Sequence, residues 1–391
     1  MPILLQINVT SNWGSTGKIA EGIGEAAISN GWKSLIAYGR YSNKSNSDVI
    51  KVSNMIDVYT HFAKQRIFDT EGLNSKNSTQ KFVEQIKQIK PDIIHLHNIH
   101  DHWINYPVLF EYLSSINTPI VWTFHDCWAF TGGCMHFENQ GCYKWQSACK
   151  ECQFKFKLQK DNSERNYLLK KHYFGELKDR LTIVGVSDWI SNYAKDSFLK
   201  QSNFITIHNG VNISKFIPGE KKENFILGVS SRWSDSKGLN DFYKLRKVID
   251  KRIGIILIGL DKNQIKNLPN GIQGIEKTSS LDELIKYYQQ AKIFINPTKD
   301  DTFPTVNIEA LACGTPVLTY KTGGSPEAVD EKTGLVIEKG DIKGLSDSIK
   351  KIINGELSFD SQACRLRAET HFNQETQYNK YIDLYESLLS K

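Results

Sequence analysis

Apolar residues in this chain fall into short runs, and between the runs they recur at helical spacing. Ile3–Val9, Ser34–Tyr38, Asp92–His97, Pro119–Phe124, Thr182–Val186 and Phe204–Ile207 read as strands of a first half. Phe225–Val229, Ile253–Gly259, Lys292–Pro297, Val317–Tyr320 and Leu335–Ile337 read as strands of a second. The stretches between carry helix signatures. Ile19, Ile23 and Ala27 share one face and Gly31 ends it; Phe82, Val83, Ile86 and Ile89 share another and Pro91 stops it; Asp341 caps a third that Gly355 ends. Strands alternating with helices predict parallel sheets covered on both faces. The polar run Glu220–Asn224 reads as the linker, and Gln374–Leu389 is an amphipathic terminal helix. The expected organisation is one α/β domain over 1–208, a second over 209–372, and a last helix, 373–391, that returns to the first.

The densest chemistry lies in Asp300–Val317. An apolar strand, Ile293–Ile295, leads into a polar loop; Thr305 reads as the cap of a helix through Cys313, and Gly314 as its left-handed stop. A loop that leaves the carboxyl end of a parallel strand and opens a helix is where such sheets bind ligands. Its unpaired backbone amides favour phosphate, while Asp301 and Glu309 can accept hydrogen bonds from sugar hydroxyls. Upstream, Ser231–Gly238 closes another strand with Arg232 and Lys237, two cations suited to a diphosphate that gains charge as its bond to sugar breaks. Thr322–Glu327 is a further strand–Gly loop–helix, with Ser325 read as cap and Pro326 as first helical residue. In the first half, Thr10–Lys18 is a Gly-containing loop after a strand, which suits either a phosphate cradle or a plain βα turn. His125 ends the strand Pro119–Phe124 and faces the same end of its sheet.

The Asp301-x7-Glu309 spacing, with Arg232-x4-Lys237-Gly238 before it, resembles the signature of retaining glycosyltransferases of the GT-B type, the large family 4 group. Two positions depart from the usual pattern: aspartate replaces the first glutamate, and Pro304 stands where glycine is common. The resemblance implies an α/β GT-B fold, two Rossmann-like doubly wound parallel-sheet domains facing a central cleft. It implies that Arg232 and Lys237 stabilise the leaving diphosphate, Glu309 holds the ribose, and Asp301 and His125 hold the sugar. Gly14, Gly17, Phe303, Thr305, Val306 and Asn307 would complete the donor site. The implied donor is a nucleoside-diphosphate sugar. The implied acceptor is a saccharide or lipid-linked saccharide of a bacterial surface polysaccharide. With no Asp-x-Asp motif, no catalytic metal is expected. The rivals are another GT-B enzyme (a nucleotide-sugar hydrolase, phosphorylase or epimerase) and a non-catalytic nucleotide-sugar-binding protein.

A formal net charge of +6 is too weak to argue for nucleic acid but suits phosphorylated substrates or an anionic membrane face. No apolar run approaches ~18 residues, so no membrane-spanning helix is expected. The first residues lack the basic start and long apolar core of a signal peptide, so the expected location is cytoplasmic, peripheral on the inner face of the membrane. Lys150–Arg180 interleaves basic residues with Phe154, Phe156, Leu158, Tyr167, Leu168, Leu169, Tyr173 and Phe174, a candidate membrane face. Within the loop 127–152, Cys134, Cys142, Cys149 and Cys152 end in a Cys-x2-Cys pair. That set suits a structural zinc ion, and buried reduced thiols or disulfides remain open at this point.

Overall fold

The computed structural model describes residues 1–155 and 159–390. The chain forms two compact units, Met1–His208 with Gln377–Lys391, and Asn209–Thr376. The first is built on a seven-stranded sheet: β1 (Ile3–Ser11), β2 (Lys33–Ser42), β3 (Asp48–Lys51), β4 (Ile93–Leu96), β5 (Ile120–Phe124), β6 (Leu181–Gly185) and β7 (Asn203–Thr206), in the order β3-β2-β1-β4-β5-β6-β7. Every pair is parallel; Leu4 lies beside Ile93, and Phe124 beside Gly185. β1 takes the central place because Leu4 to Ser11 are buried, as an apolar strand covered on both faces requires. The strand order reverses between β1 and β4, which puts the ligand end of this sheet at the loops after β1, β4 and β5.

The second unit repeats the plan with six parallel strands: β8 (Glu223–Val229), β9 (Gly254–Ile258), β10 (Ile272–Ile275), β11 (Ala291–Asn296), β12 (Val317–Tyr320) and β13 (Gly334–Ile337). Their order is β10-β9-β8-β11-β12-β13, so the switch lies between β8 and β11. Ile226, Leu257, Ile293, Ile295 and Leu318 from the strands pack with Phe242, Leu245, Leu345 and Ile349 from the helices to form its core.

The terminal helix Gln374–Leu389 belongs mostly to the first unit, where Tyr378, Tyr381, Ile382 and Tyr385 join the core of Leu4, Ile23 and Val121. Two of its hydroxyls reach the sheet: Thr123 Oγ1 donates to the Tyr381 hydroxyl at 3.2 Å, and the Tyr385 hydroxyl lies 2.7 Å from His95 Nδ1. Gly22 lies under the Tyr378 ring, so this helix seats only where the first helix has no side chain.

Several expectations need correction. The first helix runs Gly14–Ser29, so the loop after β1 is two residues long and Gly17 is helical. β3 and β10 were not foreseen. One is an exposed edge strand bearing Asp48 and Lys51, and the other holds Gly274, so neither shows a clean apolar run. Glu220–Asn224 lies inside the second unit, and Glu223 already starts β8. The basic aromatic stretch is divided between surface and core: Leu168 is exposed and Leu169 and Tyr173 are half-buried. Tyr167 and Phe174 of the helix Ser163–Gly175 are buried, Phe174 packing 4.4 Å from Phe110 and 5.0 Å from Trp122; Phe156 and Leu158 lie outside the described residues. Among the described residues no helix is long and apolar enough to cross a membrane.

Candidate functional site

In the second unit three loops meet at the carboxyl ends of β8, β11 and β12. The loop after β8 is tied to the loop after β11 by Lys299 N–H to Ser236 O at 2.7 Å. Gly238, at φ +79°, sits where a Cβ would overlap the Pro297 carbonyl. The loop after β12 is tied in by Gly324 N–H to Thr302 O at 3.1 Å, and Gly323, at φ +55°, lies flat on the Asp301 backbone. Only glycine fits these two places, because each combines a left-handed backbone with a close approach.

The charged groups follow from that frame. Lys237 Nζ lies 2.6 Å from Asp301 Oδ2 and donates to Asp300 O at 3.2 Å. The presumed diphosphate cation and the presumed sugar acceptor therefore hold each other. Arg232 is exposed and has no ion pair among the described residues. Lys299 is held by Asp235 at 3.1 Å and buried Asp241 at 3.6 Å, so it positions the loop.

The helix after β11 is Thr305–Ala312, with Pro304 at the N-cap and no side-chain cap, so Thr305 is the first helical residue. Proline at the cap brings no side-chain acceptor, and the amides of Thr305 and Val306 have no acceptor among the described residues. Gly314, at φ +67°, follows the C-cap Cys313, as expected. Glu309 Oε2 accepts from the Tyr288 hydroxyl at 2.9 Å. Burial first, and then the charge of Glu309, push the Tyr288 phenol well above its usual range, so it remains a donor.

Asn307 is fully buried: its Oδ1 accepts from Asn296 Nδ2 at 2.8 Å and its Nδ2 donates to Ser325 Oγ at 3.0 Å. Ser325 is thus not a cap; its hydroxyl lies 2.6 Å from Thr319 Oγ1, and Gly324 is the N-cap of the 3-10 turn Ser325–Ala328. Phe303 is buried against Phe372, with ring centroids 5.6 Å apart. Asn307 and Phe303 therefore shape the loops and offer no exposed polar group.

In the first unit the reversal of strand order gathers histidines. Gln6 Nε2 donates to Ala20 O at 2.8 Å, which leaves Gln6 Oε1 facing His97 Nε2 at 3.0 Å. His97 Nε2 must then carry its proton, so His97 Nδ1 accepts from His125 Nε2 at 3.1 Å. Burial holds His125 down at about 4. It is thus neutral near pH 7 and presents Nδ1 as a bare acceptor, without a partner among the described residues.

Beside it, His100 Nε2 lies 2.9 Å from Asp126 Oδ2, and His100 Nδ1 lies 3.6 Å from Asp101. Burial opposes charge on His100, but the two carboxylates overcome it and hold it well above its usual value. A neutral acceptor thus sits next to an imidazole that its carboxylate neighbours hold toward the charged form. His102 follows, 2.6 Å from Glu71, and both Asp101 and His102 have φ near +70°. Sequence reasoning missed His100, Asp101, Asp126 and Glu71. The signal available was the density of histidine in His95–His102 directly after β4.

The remaining candidates lie in the first unit. Gly14 is open, at φ +67°, while Gly17 packs against Thr10 and accepts from Asn12 N–H at 3.1 Å. Cys134, Cys142, Cys149 and Cys152 are reduced and line one pocket, from which Cys127 is absent.

The family of the chain follows from comparison with known proteins. The "Glycosyltransferase Family 4" model matches residues 20–215, half of the chain, and "Glycosyl transferases group 1" matches 211–377. The chain belongs to the family 4 glycosyltransferases. It is 20% identical, over 98% of its own length and all of the other's, to the putative colanic acid biosynthesis glycosyl transferase WcaC of Escherichia coli (strain K12). It is 25% identical to the capsular polysaccharide biosynthesis glycosyltransferase CapM of Staphylococcus aureus, over 54% of this chain and 62% of that one. It is 23% identical to an N,N'-diacetylbacillosaminyl-diphospho-undecaprenol α-1,3-N-acetylgalactosaminyltransferase of Campylobacter jejuni, over 53% of this chain and 60% of that one. Among solved structures, sucrose-phosphate synthase from Thermosynechococcus elongatus superposes with TM-score 0.71 at 18% identity over all of both chains. Anabaena HepE, crystallised with UDP, superposes with TM-score 0.68 at 14% identity over 99% of this chain and 100% of that one. These likenesses establish a GT-B fold for this glycosyltransferase.

Proposed function

We propose that this glycosyltransferase moves a sugar from a nucleoside diphosphate to a hydroxyl of a saccharide or lipid-linked saccharide, with retention, during assembly of a bacterial surface polysaccharide. The observation that carries the donor half is the three-loop frame of the second unit, which gathers Arg232, Lys237, two unpaired helix amides, Asp301 and Glu309. The bond between the sugar's anomeric carbon and the phosphate oxygen breaks with its electron pair going to the diphosphate. Arg232, Lys237 and the amides of Thr305 and Val306 stabilise that charge in place of water. Asp301 accepts from a sugar hydroxyl once the diphosphate has drawn Lys237 away. Glu309 accepts from the ribose, aligned by the Tyr288 hydroxyl. His125, neutral with a bare Nδ1, accepts a further sugar hydroxyl. The acceptor oxygen approaches on the face the diphosphate leaves, and its proton passes to the departing phosphate oxygen. None of these steps requires a divalent cation.

The acceptor class is supported by the relatives that carry colanic acid, capsular polysaccharide and undecaprenol-linked substrates in their names. A peripheral membrane contact is supported by the helix Met55–Phe68, which exposes Ile56, Tyr59, Phe62, Ile67 and Phe68 beside Lys64 and Arg66. The test is to incubate the protein with a mixed panel of nucleotide-sugars and lipid-linked saccharides, then identify products by mass spectrometry and their anomeric configuration by NMR. A glycosylated product with the donor's configuration is expected. Release of nucleotide at the same rate without any acceptor would replace this reading with hydrolysis.

A further inference from the structure

The Cys-bearing loop poses a physical problem. Between β5 and the helix Ser163–Gly175 its described part forms only three single-turn 3-10 helices, Trp128–Phe130, Glu138–Gln140 and Lys144–Gln146. Loops of this length without regular structure need something to order them. One side has an anchor: Phe130, Phe137 and Trp145 are buried and pack against one another with ring centroids 5.1 to 6.4 Å apart. On the other side the described residues form no such aromatic cluster. There Cys134, Cys142, Cys149 and Cys152 surround a pocket of about 120 Å³, with Gly132 and Lys155 on its wall.

We propose that these four thiols hold a structural zinc ion that staples the loop. One backbone amide already points at sulfur: Gly132 N–H donates to Cys149 Sγ at 3.1 Å. Such a donor orients a thiolate and spreads its charge. A second observation concerns charge. Lys170 is buried, donates to Trp128 O at 2.6 Å and Thr131 O at 3.1 Å, and lies over the Trp128 ring at 3.5 Å. It has no ion pair with a carboxylate among the described residues; Cys134, Glu71, Cys149 and Asp126 are within its electrostatic reach, and burial still draws it down to about 7. Keeping so deeply buried an amine charged takes further negative charge beside it. One Zn²⁺ and four thiols give a zinc tetrathiolate of net charge −2 and release four protons, and that dianion supplies it. Lys144 and Lys150 on the pocket wall add to the compensation, while Lys155 is paired with Asp69 at 2.5 Å.

Among the described residues, no three of the thiol sulfurs lie within 4.8 Å of one another. Thiolates at about 2.3 Å from zinc lie closer together than that, so the ion draws the loop inward. Four cysteines fill a tetrahedral shell, so the ion takes no part in transfer.

The full chain, purified without added metal, is expected to carry about one zinc per chain by elemental analysis, with the four thiols shielded from alkylation until a chelator is added. Cobalt(II) in place of zinc is expected to give a thiolate-to-metal charge-transfer band and the intense visible bands of a tetrahedral site. This readout uses unmutated protein and does not depend on the folding of a variant. Cys152→Ser is expected to lose the metal, and His61→Ala, in the nearby His61–Glu71–His102 group, to keep it. The proposal is overturned by metal-free protein with four readily alkylated thiols, by disulfides in protein prepared without oxygen, or by zinc that survives Cys152→Ser and leaves with His61→Ala.

Discussion

Removing the Asp301 carboxylate should split donor binding from transfer in opposite directions. In the unliganded protein Asp301 Oδ2 holds Lys237 Nζ at 2.6 Å, with both side chains partly exposed, 23% and 33%. A diphosphate must compete with this pair for the lysine. Pairs this open contribute only about 0.2–1 kcal/mol, so freeing Lys237 tightens bare nucleoside diphosphate by roughly 1.4- to 5-fold at most. On the proposed donor pose, the same substitution removes a hydroxyl acceptor and leaves a buried sugar donor unpaired. That costs about 1–3 kcal/mol, roughly 5- to 150-fold in kcat/KM. Asp301→Ala should therefore bind nucleoside diphosphate as well as or slightly better than wild type, while transfer falls steeply. Asp301→Asn should show the same split more weakly, since the amide oxygen still accepts. Lys237→Ala, by contrast, should lose both, with kcat down about 10²-fold. Titration calorimetry with nucleoside diphosphates and initial rates with the native donor, on the same preparations, measure the two quantities. If Asp301→Ala weakens diphosphate binding as much as it slows transfer, Asp301 is not a sugar contact and the competition for Lys237 is not real.

Three further outcomes follow from other parts of the molecule. Gly323→Ala should abolish donor binding while leaving the first unit folded, because its Cβ would overlap the Asp301 carbonyl at a left-handed backbone position; donor titration with circular dichroism checks it, and a normal affinity would refute the close approach. For acid stability, burial holds His61 and His125 near 4, so below pH 6.5 the unfolded chain takes up protons the native chain refuses. Stability conferred by these groups is full above pH 6.5 and is lost as pH falls toward 4, whereas His100, held high, adds stability on the acid side. Denaturant melts of wild type and His125→Gln should show a shallower decline for the variant between pH 6.5 and 4, and identical slopes would refute it. Ile56→Asp with Phe62→Asp should reduce co-sedimentation with vesicles of anionic phospholipid without changing transfer to a soluble acceptor, and unchanged sedimentation would leave that helix without a membrane role.

The repeated β–α pattern, the carboxyl-end position of the Asp301 loop and the left-handed stop at Gly314 were determined by the sequence alone, because each rests on local periodicity or on one residue's backbone freedom. Edge strands were beyond its reach: β3 and β10 owe their strand form to a neighbour's hydrogen bonds, not to their own apolar content. Side-chain direction was beyond it as well. Tyr167 and Phe174 looked like a surface stripe, yet the aromatic wall of Phe110 and Trp122 takes Phe174 inward. Polar partnership over long separations was decided by the fold. Lys237 and Asp301 stand 64 residues apart, and His97 and Gln6 stand 91 apart. Only the assembled sheet, by bringing loops after non-consecutive strands to one edge, makes the first an ion pair and fixes the proton on the second. A sequence shows which groups can exchange protons or charge. Which of them touch, and so which stay neutral, is set by the tertiary packing that removes water from between them.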